Sequence, residues 1–427
     1  MPDAYEAAAT RLLLLGINYA PEQVGIAVYS TGMAEWLAAR GHSVEVIAGQ
    51  PYYPGWTISP AYRGFLPKRT VESGVGVTRC PLYVPARPTG ARRVLHHFSF
   101  ALSALCPTLW RGLRQRPQTV FVAAPSLISA PVGWFVARLL GAKAWLHIQD
   151  FEVEAAFSTG LLKSTGLAAT LARGFERWVM RRFDIVSSIS PMMCRKLEAK
   201  GVPADRIVEF RNWADIAGIA PLQADSPYRR RWNIATPHVA LYSGNIANKQ
   251  GIEIVVEAAR LLAPRKDLTF VICGEGPNRA ALEALAGDAG NIQFHDLQPK
   301  SDLSDLVGLA SVHLLPQVAG AADLVLPSKL NNMLASGRPV VATASYGTGL
   351  AAEVEGCGIV VEPGDAEAFA AAIVQLLDDP DHRAALGATA RRRATERWDP
   401  EQILGRVETR LRQSGERSSA VGKHATP

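Results

Sequence analysis

Three stretches in the second half of the chain place glycine, lysine or serine where an apolar run gives way to an amphipathic one. In "ALYSGNIANKQGIEIVVEAARLL" the residues are Gly244, Asn245, Lys249, Gln250 and Gly251. In "FVICGEGPNRAALEALA" they are Gly274 and Gly276. In "LVLPSKLNNMLASGRPVVATA" they are Ser328, Lys329 and, one turn on, Asn332. Free N–H groups at a helix start favour negative charge, and a lysine adds a point charge, so the pattern suits a phosphate or diphosphate. Any one of these turns is explained by turn chemistry alone. Their repetition at three strand ends points to an anion.

The first half carries a related device. In "NYAPEQVGIAVYSTGMAEWL" the run Leu12–Leu15 stops at Gly16, and Pro21, Glu22 and Gln23 precede a bare Gly25 at a helix start. A dinucleotide fingerprint needs G-x-G-x-x-G directly after the strand. Gly16, Gly25 and Gly32 are too far apart for that. "WLHIQDF" ends another apolar run with His147, Gln149 and Asp150. His147 and Gln149 share a strand face. His147 reads either as a packed core histidine or as a ligand contact, and Asp150 as an acceptor contact or a cap. Asp379-Pro380-Asp381 reads as helix capping, not as a metal motif.

The elements that must hold these residues alternate along the chain. Strand candidates are Leu12–Ile17, Val44–Ala48, Val75–Cys80, Val120–Ala123, Ala144–Ile148 and Asp184–Ile189. The second half adds Val239–Ser243, Thr269–Cys273, Ile292–His295, Val312–Leu315, Val340–Thr343 and Ile359–Val361. Most are continuous apolar runs, as in parallel strands buried on both faces. Amphipathic segments such as Thr31–Arg40, Ile252–Leu262 and Ala366–Leu377 separate them. The expected fold class is α/β, with two doubly wound parallel-sheet domains, 1–217 and 218–395. A helix over 396–413 and a disordered tail over 414–427 follow.

The 427 residues are 48% hydrophobic and 20% charged, an ordinary globular composition. The net charge is +6, and up to Asp215 the basic residues outnumber the acidic 24 to 15. That favours an anionic partner for the first half. The five cysteines are scattered, so neither a zinc site nor a disulfide framework is expected. The polar start "MPDAYEAAATR" is no signal peptide, and no apolar stretch is long enough to span a bilayer, so the expected location is cytoplasmic. "PARPTGARRVLHHFSFALSALCPTLWRGLRQRP" has no acid; it carries Arg92, Arg93, Arg111 and Arg114 with Phe98 and Trp110 among them. Such a helix suits an anionic membrane surface, the alternative being a core helix with basic ends. Nucleic acid is not expected, since no binding module accompanies the patch.

These stretches, with "RNWAD" and "HSVEVIAGQPYYPGW", make the chain resemble the retaining glycosyltransferases of family 4, and within them the WcaI-type fucosyltransferases of colanic acid biosynthesis. The resemblance spans roughly residues 11–345 and implies the GT-B fold: two Rossmann-like domains facing across a cleft, the donor held mainly by the second and the acceptor by the first. It implies a nucleotide-diphosphate sugar as donor, GDP-fucose for this subgroup. It also implies a polyprenyl-diphosphate-linked acceptor, a peripheral place on the membrane, no metal and no cofactor. Gly25 would lie against the donor diphosphate, with Glu22 and Gln23 on the acceptor side. The final helix, Pro400–Leu411, would cross back to the first domain.

Three departures from the family pattern matter. Gly244-Asn245 and Gln250-Gly251 stand where the family has Gly-Arg and Lys-Gly, leaving Lys249 or Lys329 to supply the cation. Leu324 and Asn332 replace a pair of glutamates, and Asn332 can still bond a ribose hydroxyl. Gln149 stands at the family's sugar-contacting histidine, with His147 two residues back, and either could serve. A sugar-nucleotide epimerase of the same fold and a non-catalytic membrane adaptor are the competing readings.

Overall fold

The computed structural model describes residues 9–423 apart from 23–24, 54, 88, 159–164, 215, 223, 247–249 and 319–328. Residues up to Asn212 and those from Leu404 onward form one compact unit, and Trp213–Ile403 form a second.

Among the described residues the first unit has an eight-stranded sheet. Its strands are β1 (Arg11–Gly16), β2 (Ser43–Gly49), β3 (Lys68–Glu72), β4 (Val75–Cys80), β5 (Thr119–Ala124), β6 (Lys143–Ile148), β7 (Ile185–Ser188) and β8 (Ile207–Glu209). They are ordered β3-β4-β2-β1-β5-β6-β7-β8, all parallel except β3 against β4. The run Leu12–Leu15 explains why β1 is central: each leucine is at most 1% exposed, so both faces are covered. Helix α1 (Ile26–Ala39) leads from β1 to β2, α2 (Gly90–Gln115) from β4 to β5, and α3 (Ala130–Leu140) from β5 to β6.

The second unit has six parallel strands: β9 (His238–Ser243), β10 (Leu268–Cys273), β11 (Ile292–His295), β12 (Val312–Leu315), β13 (Val340–Thr343) and β14 (Gly358–Val361). Their order is β11-β10-β9-β12-β13-β14. In each sheet the winding reverses beside the first strand, between β1 and β5 and between β9 and β12. Ligands of doubly wound sheets collect beyond the carboxyl ends of strands at such reversals. The loops that carry chemistry here are therefore those after β1, β5 and β6 in one unit and after β9, β10 and β12 in the other.

All twelve strand candidates are strands, with ends shifted by a residue or so. Two strands carried no apolar signal. β3 is an edge strand with Lys68, Arg69 and Val71 exposed, and β8 has three residues. The second unit begins at Trp213, ahead of the expected 217, because Ile216 and Ile219 are already in its core and the Ala214 N–H donates to the Trp398 carbonyl (3.0 Å). The last helix runs Pro400–Lys423, through most of the segment 414–427 expected to be disordered. Asp399 accepts from the Gln402 N–H at its start, and no proline interrupts it before Pro427. Its Glu408 meets the buried His42 at 2.8 Å, within the first unit. Asp379 caps helix Pro380–Trp398 by accepting from the His382 N–H (2.9 Å), as the capping reading expects.

Candidate functional site

In the second unit the chain end of β9 is built for close backbone approach. The Gly244 N–H donates to the Cys273 carbonyl (3.0 Å) and the Ile246 N–H to the Glu275 carbonyl (2.8 Å), so the loops after β9 and β10 stay laced together beyond the sheet. A Cβ on Gly274 would lie 1.9 Å from the Gly244 carbonyl oxygen, and one on Gly276 2.1 Å from that of Ile246. Both positions require glycine for space. Gly251 packs against Val318, which brings the loop carrying Gln250 beside the one after β12.

Lys329 opens helix Lys329–Ala335 and lies over this floor. Its Nζ donates to the Tyr242 hydroxyl at 3.0 Å and sits 4.1 Å from the centre of that ring. The hydroxyl in turn donates to the Asn245 carbonyl (2.7 Å). The Lys329 stem passes 3.4 Å from where a Cβ on Gly244 would be. Among the described residues no carboxylate pairs with Lys329, and burial pushes its ammonium down to about 7. A desolvated lysine whose hydrogen-bond partner among the described residues is a phenol can receive an anion. Asn332 follows three residues later on the same helix face, half-buried. Lys249, Ser328 and Gln23 lie outside the described residues.

In the first unit Gly25 caps α1 at φ 62°, a conformation a side chain resists, and a Cβ there would have nothing within 4 Å. A Gly25→Ala variant should unfold at lower denaturant, with a loss of about 1–2 kcal/mol from the left-handed strain. Glu22, expected on the acceptor side, is buried. One carboxylate oxygen accepts from the Tyr52 and Tyr53 N–H groups (2.8 Å each) and the other from the Asn18 amide (2.8 Å). Its carboxylate ties the loop after β1 to the loop after β2.

His147 takes the packed-core alternative. It is 3% exposed between Phe121 and Phe210, with ring centres 5.8 and 4.7 Å away, and burial pushes it down to about 3. Its Nδ1 is 2.9 Å from the Ser187 hydroxyl, which also accepts from the Trp145 indole N–H (2.8 Å). Its Nε2 is 3.3 Å from the Gln149 amide nitrogen, and the Asn212 amide donates to Gln149 (3.4 Å). Gln149 is thus the outermost member of a buried chain in which neutral His147 sets its orientation. Asp150 stands exposed just past β6, and desolvation raises its carboxyl.

Glu152 carried no sequence signal beyond its place in "QDFEVE". One carboxylate oxygen accepts from the Ser126 and Leu127 N–H groups at 2.7 Å each, joining the loops after β5 and β6. Ser126 holds φ 96°, unusual for a residue with a side chain. Burial pushes Glu152 up to about 7, from 4.5 in the unfolded chain, so its ionisation opposes folding increasingly as pH rises from 4.5 through 7. Glu152→Gln should remove that loss. The wild type should lose on the order of 1–3 kcal/mol between pH 5 and 8 through this group, and the variant's denaturation midpoint should be flatter over the same range.

Family comparisons agree with this architecture. A glycosyl transferase 4-like domain model matches residues 24–213, and a glycosyl transferases group 1 model matches residues 225–393. The chain is 41% identical over 404 residues to the putative colanic acid biosynthesis glycosyl transferase WcaI of Escherichia coli K12, covering 92% of this chain and 98% of that one. This chain belongs to the family 4-like glycosyltransferases. A more distant member is the alpha-D-kanosaminyltransferase of Streptomyces kanamyceticus, 28% identical over 60% of this chain and 67% of that one. Solved glycosyltransferases share the GT-B fold: sucrose-phosphate synthase of Thermosynechococcus elongatus (TM-score 0.69, 18% identity, 95% and 98% covered) and Anabaena HepE in complex with UDP (TM-score 0.68, 15%, 94% and 99%). Among the described residues no three metal-ligating side chains gather as a metal site, and no helix is long and apolar enough to cross a membrane.

Proposed function

We propose that this glycosyltransferase moves fucose from GDP-fucose, with retention, to a polyprenyl-diphosphate-linked acceptor during assembly of a colanic acid-like exopolysaccharide. The near full-length match to WcaI carries the reading. Fucose, retention and the lipid-linked acceptor are what the sequence resemblance implies. Lys329 supports the donor side: a lysine over glycine loops, with no carboxylate partner among the described residues, can take the charge of a departing diphosphate without a metal ion.

The membrane side rests on α2. Phe98 (56% exposed), Leu102 (64%), Trp110 (53%) and Leu113 (52%) recur at helical spacing on its outward face, while Phe100, Ala104, Thr108 and Gly112 are buried beneath. Arg92 and Arg93 are exposed at its start, and the Arg114 guanidinium lies 4.4 Å from the Trp110 ring centre. Arg111 is drawn aside toward Glu45 (3.9 Å). A helix with an outward apolar stripe and arginines beside it lies in an anionic membrane interface. That supports a peripheral enzyme on the inner face of the plasma membrane.

Thermal shift with GDP-fucose, GDP-mannose, UDP-glucose and UDP-GlcNAc tests the donor class, since only a ligand of the folded state raises the midpoint. Stabilisation by the GDP sugars, GDP-fucose most, is expected. Stabilisation by none of the four, with vesicle binding intact, would replace the transferase by the membrane adaptor.

A further inference from the structure

The apolar stripe of α2 continues onto two neighbouring helices of the first unit, α3 and the helix Leu167–Arg182. Gly112 lets α2 and α3 close up, since a Cβ there would stand 2.6 Å from a Leu140 methyl group. Trp134 of α3 meets Trp178 of the third helix edge-on, with 6.1 Å between ring centres. Phe100 of α2, Val136 of α3 and Val179 of the third helix belong to one core cluster with Leu13 and Val120 of the sheet. Helices that share a core on one side of a sheet turn their outer sides the same way.

Those outer sides are rich in exposed apolar groups. Of the 21 large apolar side chains exposed among the described residues, six lie on α2, two on α3 and three on the helix Leu167–Arg182. On that third helix Leu167 (75% exposed), Leu171 (63%) and Trp178 recur on one helix face. On α3 Phe135 and Leu139 are one turn apart. A contiguous apolar surface of this kind marks an interface.

Charge decides what covers it. The three helices carry nine arginines and one acid, Glu176, which is buried against Lys200. A second copy of this chain would set arginines against arginines, and like charges across a contact oppose it. An anionic bilayer accepts both the apolar side chains and the arginines around them. The Arg182 guanidinium lies 5.4 Å from the Trp178 ring centre and 5.6 Å from that of Trp134, a cation beside aromatic rings that suits the headgroup level.

We propose that α2, α3 and the helix Leu167–Arg182 together form a membrane footprint three helices wide, seated on an anionic bilayer. The proposal deepens the membrane reading of α2 and rests on it. It adds an orientation, because one inserted helix can roll about its axis and three side by side cannot. The first sheet then lies flat over the bilayer with the helices between. The carboxyl ends of β1, β5 and β6, where Gly25 and Asp150 stand, come to the rim of the footprint, open to a lipid-linked substrate arriving along the membrane.

The test places the polarity-sensitive fluorophore NBD on the full chain at Leu171→Cys, Phe98→Cys or Val28→Cys. Each is made in a Cys106→Ser, Cys194→Ser background, the other three cysteines being buried. Val28 is the control: α1 and α3 cross the sheet in opposite directions, so right-handed connections put them on opposite faces. Vesicles are phosphatidylcholine with or without phosphatidylglycerol. The Leu171 and Phe98 labels should shift to the blue and be quenched by a lipid-borne spin probe only with phosphatidylglycerol, and the Val28 label should do neither. Replacing Phe135, Leu139, Leu167 and Leu171 together by serine should weaken vesicle partitioning at least tenfold while keeping the thermal shift given by nucleotide sugars. Insertion of the Phe98 label with the Leu171 label left in water would overturn the wide footprint and leave the α2 reading standing. Insertion of neither would end both. A blue shift at Leu171 that grows with protein concentration in the absence of vesicles would overturn the proposal in favour of a second copy. Equal insertion of the Val28 label, or undiminished binding by the fourfold variant, would overturn it as well.

Discussion

Lys329→Met should bind nucleotide sugars roughly 10²-fold more weakly than wild type, and should melt at a higher temperature when no ligand is present. Both results follow from one geometry. The ammonium is desolvated against Tyr242 and Gly244 and holds no acidic partner among the described residues. Its proton affinity is lowered from 10.5 to about 7. A lysine whose folded pKa lies below its unfolded one opposes folding fully below about 7, and the penalty fades as pH rises toward 10.5. Methionine keeps the stem and removes the penalty. A diphosphate reverses the balance, because the anion stabilises the charged form. A sugar-esterified diphosphate has no titrating proton near neutrality, so binding at pH 8–9 should draw about one proton onto Lys329. Calorimetry in buffers of different ionisation heat measures that uptake. Wild type should approach one proton per site at pH 9, and Lys329→Met should show none. Affinity should fall as pH rises above 7 in the wild type only.

The second large effect concerns the membrane. Replacing Phe98, Leu102, Trp110 and Leu113 together by serine should abolish binding to vesicles containing anionic lipid while leaving the melting temperature within a few degrees. These side chains are more than half exposed, so the folded core loses little. Insertion of four such groups gives roughly 1.5 kcal/mol or more each when fully buried. Their loss therefore costs several powers of ten in partitioning. Co-sedimentation with vesicles of rising anionic content reads the result. Undiminished binding by the fourfold variant would place the contact elsewhere. A large drop in melting temperature would mean that the stripe packs inside the protein.

Much of the fold is legible in the sequence because burial on both faces writes a strand as an unbroken apolar run. Leu12–Leu15, Val239–Ser243 and Val340–Thr343 are of this kind. Lys68–Glu72 is not, since an edge strand alternates toward solvent and its residue types are those of a loop. The site is legible only where chemistry is local. Gly274 and Gly276 announce themselves beside a strand end, and Lys329 beside a proline. Tyr242 reads as one more strand residue until the fold lays it under Lys329, 87 positions away. His147 shows the reverse. Its type suggests chemistry, but its position one residue inside the end of β6 puts it between two phenylalanines. Glu152 gains its role from partners 25 and 26 residues away, at Leu127 and Ser126, and no local pattern marks such a meeting.

Sugar transfer from a nucleotide to a lipid-linked acceptor is what distinguishes a transferase from an epimerase or an adaptor. The most direct measurement incubates the enzyme with carbon-13-labelled GDP-fucose and vesicles carrying prenyl-diphosphate-linked saccharide, and follows the anomeric signal by NMR. GDP should be released only when acceptor is present, apart from slow hydrolysis, and the label should appear on the lipid fraction in the donor's anomeric configuration. Conversion of the donor to an epimer without acceptor, or an unchanged donor beside enzyme that binds the vesicles, would contradict it.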